Sequence, residues 1–148
     1  AEIRAGDAAA RVLRRRMAQV RRRGDRLDAG SPDAELHALR IRVKRLRYAL
    51  EFLAPLYPKA AARLLPRLVE LQDGLGRHQD AVIAARQLRD LAGAGPRFPQ
   101  GTRRALTELA ARRRAEAEPE RASIAAAYAA ARGKPWRRMK RALAAQAD

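Results

Sequence analysis

The segment Asp33–Tyr57, DAELHALRIRVKRLRYALEFLAPLY, constrains the fold more than any other stretch of the chain. Wound as a helix at about 100° per residue, it separates into two arcs. Leu36, Leu39, Val43, Leu46, Leu50 and Leu53 form an apolar arc that needs a core to cover it. His37, Arg40, Lys44, Arg47 and Tyr48 gather on the opposite arc, with Glu51 among them. Cations one helical turn apart repel their neighbours. A partner with many negative charges would offset that repulsion, so the row points to a polyanion.

The rest of the chain carries the same bias. Of 148 residues, 33 are Lys or Arg and 16 are Asp or Glu, a formal net charge of +17. Arg supplies 29 of the 33 cations. A GC-rich coding sequence accounts for that ratio, but the guanidinium fork also grips phosphate oxygens in pairs. A charge this large attracts nucleic acid, anionic surfaces, acidic protein or phosphate polymers. There is no Cys, which excludes disulfides, thiol chemistry and Cys-based zinc sites. No stretch approaches the roughly 20 apolar residues of a membrane span. The first residues lack a secretory pattern. The chain is expected to be cytoplasmic and not to engage a membrane.

The pattern predicts an all-α antiparallel bundle in one domain over residues 1–148, with about six helices round a four-helix-bundle core. A first helix over 2–27 carries the seam Leu13, Met17, Val20, Gly24 and Leu27. On its far side Arg4, Arg11, Arg15, Arg22 and Arg26 form a second cationic stripe. Asp33 is the expected N-cap of the second helix, over 33–55, which Pro55 and Pro58 close. A third helix over 59–74 presents Leu64, Leu65, Leu68, Leu71 and Leu75. Gly74 and Gly76 mark its end or a kink, and a fourth over 77–92 turns Val82, Ile83 and Leu88 inward. After a Gly/Pro loop over 93–101 come a fifth helix, 100–115, and a last, 118–146. The last is interrupted at Gly133, with Pro135 opening a turn that carries Trp136, Met139 and Leu143.

Little in the sequence resembles catalytic machinery. Acid–base catalysis wants paired carboxylates or a poised His, and the acids here are scattered among arginines. Asp73 and Asp80 read as charge partners. No Gly-rich phosphate loop ends in Lys-Ser/Thr. His37, His78 and Asp80 could sketch a metal site, but His78 and Asp80 point to different sides of a helix and His37 stands in a cationic row. Neither enzyme activity nor a metal or cofactor is expected. The two basic stripes fall on consecutive helices, where an antiparallel neighbour could align them as one surface or groove. A third cluster, Lys134, Arg137, Arg138, Lys140 and Arg141, surrounds Trp136. Aromatics are 4% of residues and only Tyr48 stands in a stripe, a poor base-stacking set. Asn is absent and Gln avoids the stripes, a poor set for base edges. The surface suits phosphates without bases.

The motif His37-x-x-Arg40-x-x-x-Lys44-Arg45-Leu46-Arg47-Tyr48, followed by Leu71-Gln72-x-x-Leu75-Gly76-x-x-x-Asp80, resembles the CHAD (conserved histidine alpha-helical) domain. Gly133-Lys-Pro-Trp136-Arg resembles that family's closing Lys-Pro-Phe-Trp-Arg, without its Phe. The resemblance implies half of an architecture with two four-helix-bundle halves round a basic channel. This chain resembles the C-terminal half. It also implies binding of inorganic polyphosphate, association with polyphosphate granules and, in many members, fusion to a CYTH triphosphatase domain. Carried over by motif, His37, Arg40, Lys44 and Arg47 would line the channel, with Tyr48 beside them. Lys134 and Arg137 follow from the closing motif, and Arg138 from the cluster around it. Arg11, Arg15 and Arg22 extend the set from the first helix. One His-x-x-Arg motif stands where a full domain has two, so either a missing N-terminal half or a homodimer would complete the channel. Sulfate or phosphate ions should occupy the same groups in crystals. Low-specificity nucleic-acid binding, or docking on an acidic protein, is the alternative function.

Overall fold

The computed structural model describes residues 5–94 and 98–145. Among them are five α-helices, one short 3₁₀ turn and no strand. Helix α1 is Ala5–Gly24, α2 is Asp33–Leu53, α3 is Pro58–Gly93, α4 is Gln100–Arg132 and α5 is Lys134–Ala145. The 3₁₀ turn Ala54–Leu56 links α2 to α3. Arg4 and the outer ends of the first and last predicted helices lie outside the described residues.

The count differs from about six because two predicted breaks do not occur. Gly74 and Gly76 continue α3, and no glycine among the described residues adopts a positive φ. Gly74 is buried instead, and a β-carbon there would sit 3.4 Å from Ile124 of α4. The residue lies in a helix–helix contact rather than in a turn. The expected break after residue 115 is bridged by a continuous α4, with Pro119 inside it. Pro66 inside α3 and Pro119 are both on the solvent side, where water can hydrate the carbonyl that proline leaves without its helical partner.

Leucine periodicity builds the core. Leu13 and Val20 of α1, Leu39, Val43, Leu46 and Leu50 of α2, and Leu64, Leu68 and Leu71 of α3 are at most 1% exposed. Met139 and Leu143 of α5 close one side. Each such burial favours folding by about 1.5–3 kcal/mol over leaving the side chain hydrated. Ile83, expected inward, is 38% exposed. Past Leu75 the α3–α4 pair is joined by small residues, with Ala81, Val82 and Ala117 as a separate cluster. That seam is narrow, and Ile83 lies off it and faces water. At 1.5 Å per residue, the 36 residues of α3 span about 54 Å, well beyond the 20-residue α1.

Two contacts fix how α1 and α2 sit on α4. Gly24 packs against the Tyr128 ring, and a β-carbon there would lie 2.5 Å even from the phenol oxygen. Tyr128 donates its hydroxyl to Asp25 at 2.5 Å, and Arg132 grips the same carboxylate at 3.1 and 3.2 Å. The Arg132 bond, foremost, holds the Asp25 carboxyl below its usual range. Burial, then the bond to Asp25, pushes the Tyr128 phenol up.

Asp33 makes no side-chain cap; the residue before the helix is the extended Pro32. The Asp33 carboxylate instead reaches across the bundle. It accepts from Arg121 at 2.9 Å, lies 3.1 Å from Arg114, and stands 3.3 Å from Nε2 of the fully buried His78. The first turn of α2 is thereby tied to both α3 and α4. Burial, aided by Arg121 and Arg114, holds the His78 imidazole below its ordinary value, against the pull of Asp33. The ring is therefore neutral at neutral pH. Neither nitrogen makes an aligned hydrogen bond among the described residues.

Candidate polyanion-binding surface

Where α1 runs beside α2, a hollow of about 240 Å³ is lined by Gln19, Arg22, Arg23, Arg26, Glu35 and Arg42. The α1 members recur at helical spacing, and Glu35 and Arg42 are two turns apart on α2. Arg23 and Glu35 form a loose pair at 3.5 Å. Arg42 is half-buried at the edge of the hollow. Burial first, then repulsion from Arg45, Arg23, Arg16 and Arg22, lowers its guanidinium below the ordinary arginine value. The group stays protonated. Burial is the larger cause, and the neighbouring cations add to it.

The His37–Arg47 row lies on a different flank of α2. Arg47 donates through Nε to Glu51 at 2.8 Å and through Nη1 to Gln72 of α3 at 3.3 Å. The Glu51 bond raises its basicity further. Arg40 lies over α3, its Nε 3.8 Å from where a β-carbon of Gly76 would stand. Arg40 Nε and His37 Nδ1 are both buried without a hydrogen-bond partner among the described residues. Lys44 is exposed. Its Nζ and the Arg47 Cζ lie 5.7 and 5.6 Å from the Tyr48 ring centroid. The row thus runs along α3, half-covered, and is not the outermost face of its helix. The two predicted stripes do not merge into a single wall.

The remaining candidates stand apart. Arg11 and Arg15 are exposed on the outer side of α1. Lys134, Arg137 and Arg138 are exposed on α5, whose Trp136 is buried under Arg132, 5.0 Å from guanidinium to ring. Arg14 donates to the Leu143 carbonyl of α5 at 2.5 Å, whereas Arg23 reaches Glu35 of α2. These two residues occupy opposite flanks of α1, so α5 and the hollow lie on opposite sides of it. The set splits into the α1–α2 hollow (Arg22), the α2–α3 flank (His37, Arg40, Lys44, Arg47, Tyr48), the outer face of α1 and the α5 surface.

Arg23 and Arg42, with Arg16 and Arg45 around them, are the cations that sequence reasoning missed. They border the apolar arcs of their helices instead of opposing them. Border positions are where two packed helices bring side chains together, and that would have been the signal to read. Among the described residues no three His, Cys, Asp or Glu side chains form a metal-binding group. No described helix is long and apolar enough to cross a membrane. The hollow offers guanidinium donors, one amide and one carboxylate, a set with an excess of positive charge.

The model of the CHAD domain matches residues 1–89. The chain belongs to the CHAD family. The match takes in α1, α2 and most of α3, hence both the hollow and the His37–Arg47 row. The closing motif on α5 lies outside the matched CHAD residues. No curated protein and no solved structure matches the chain.

Proposed function

We propose that this CHAD chain binds inorganic polyphosphate and catalyses no reaction on it. The observation that carries the reading is the lining of the α1–α2 hollow. Arg22, Arg23, Arg26 and Arg42 converge on it, and Glu35 is its one carboxylate among the described residues. An anion seated there removes repulsion as well as adding attraction. Arg22, Arg23, Arg26 and Arg42 would bind successive phosphates through charge-assisted hydrogen bonds. The exposed Lys44 and the partly free Arg47 would extend the track on the other side of α2. A phosphate chain carries charge at every unit and needs no stacking platform. Each contact is modest and their sum is large, so affinity falls steeply with salt. Polyphosphate granules are the expected site of association.

The test is competition at fixed salt. Labelled long-chain polyphosphate is challenged with single- and double-stranded nucleic acid matched by phosphate. Polyphosphate should be displaced only by a large excess of nucleic acid. Equal competition per phosphate overturns the claim in favour of low-specificity nucleic-acid binding. The double change Arg23→Glu, Arg42→Glu should abolish polyphosphate binding with helical content intact.

A further inference from the structure

Two surfaces lie outside the α1–α2 hollow. The first is a ridge on the outermost face of α2. Ile41, Tyr48 and Phe52 are 37%, 50% and 83% exposed. They stand at i, i+7 and i+11, one stripe about 16 Å long, opposite the buried Leu39, Val43, Leu46 and Leu50. Exposed Lys44 and Arg45 lie between them. The second is a groove of about 720 Å³ between the α1–α2 turn and α4, its walls including Leu27, Leu36, Ile124, Ala125 and Tyr128. Asp25, Asp28 and Glu118 line it too, against the single cation Arg121, which is committed to Asp33, in a chain whose net charge is +17. Asp25 is occupied by Tyr128 and Arg132. Glu118 is 64% exposed and no closer than 3.9 Å to any arginine among the described residues.

We infer that the Ile41–Phe52 ridge of one copy seats in the α1–α4 groove of a second copy. The two surfaces complement each other in both polarity and charge. A convex helix face with anchors at helical spacing meets an apolar groove, as in helix-in-groove recognition. Cations flank the ridge and carboxylates edge the groove, so attraction is local even though the molecules repel overall. Ridge and groove lie on different parts of the surface, so the contact is head-to-tail. The pair keeps one free ridge and one free groove, so the assembly extends or closes into a ring. The contact uses neither Arg22, Arg23, Arg26 nor Arg42 of the hollow; it shares Lys44 with the proposed phosphate track, so its test is made without polyanion.

The decisive experiment is sedimentation velocity on the full chain without polyanion, over a range of protein concentrations. At about 0.3 M salt, repulsion between exposed charges is screened within roughly 6 Å. The wild-type mass should rise with concentration. Phe52→Ser disables the ridge and Ala125→Arg fills the groove; each should weaken association roughly thirtyfold, as loss of a central anchor does. An equimolar mixture of the two variants restores one intact contact. It should form a dimer that grows no further. Circular dichroism checks each fold, and Phe52→Ala or Ala125→Gln replaces a variant that loses helix. A wild type that stays monomeric overturns the inference, as does either variant associating like wild type. So does a mixture that forms no dimer, because the contact is then not ridge-to-groove.

Discussion

Replacing Gly24 by alanine tests how α1 is held. The added β-carbon would fall within the Tyr128 ring, 2.5 Å from its hydroxyl oxygen and nearer to the ring carbons. Carbon atoms pack at about 3.5–4.0 Å, so the ring must retreat by about 1 Å or more. It is not free to do so, because its hydroxyl is held by Asp25 and Arg132. Overpacking of this kind costs about 1–3 kcal/mol. Losing the bond to Asp25 adds about 1 kcal/mol. Against this, alanine in place of glycine favours helix by at most about 1 kcal/mol, and less at the last residue of α1. The expected net loss is about 2 kcal/mol. Urea unfolding followed by far-UV circular dichroism should show a lower midpoint with an unchanged slope. In a Tyr128→Ala background the same change should be neutral or slightly stabilising, since the clash is gone. If Gly24→Ala is as stable as wild type with Tyr128 in place, the close approach of α1 to α4 is not as described. The hollow beside it would then lose its geometric basis, because Arg22, Arg23 and Arg26 are carried by that end of α1 and the turn after it.

Other consequences are separable. Arg42→Ala should lower the slope of log affinity for polyphosphate against log salt by about 1, measured by titration at several ionic strengths. His78 should make the fold acid-sensitive. Its folded pKa lies below the ordinary 6.5, so the unfolded chain binds the proton more tightly and stability falls as pH drops below about 6.5. The facing groups are Asp33, Arg114, Arg121 and Glu118, and the slope is at most about 1.4 kcal/mol per pH unit. His78→Leu should flatten the dependence of melting temperature on pH across that window. Asp33→Ala leaves Arg114 and Arg121 without their shared carboxylate, and should cost about 2 kcal/mol in urea unfolding. Leu46→Ala, at a fully buried position in α2, should cost about 3 kcal/mol in the same assay.

Much of this architecture was legible in the sequence. Leu36 to Leu50 recur at a helical period, and they are the face that α2 buries. Gly133 and Pro135 marked the start of α5 correctly, because a residue that breaks or opens a helix acts through its own backbone. The same kind of mark misled at Gly74. A helical glycine has two readings, a break or a close contact, and only the approach of Ile124 decides between them. Asp33 was misread for a similar reason. As a short acidic residue at a helix start it fits a cap, yet its partners stand 81 and 88 residues away in α4.

Periodicity along one chain is a local property, and it alone determined that the protein is helical, which residues form the core, and that a cationic surface must be accommodated. Which cations meet is a property of two helices at once. Arg42 and Arg23 lie on the flanks of their own apolar arcs, and the crossing of α1 and α2 brings them into one hollow. The row from His37 to Arg47 was visible in the sequence, but its covering by α3 was not. Helical spacing gives each side chain a direction about its own axis; only packing gives that direction a neighbour.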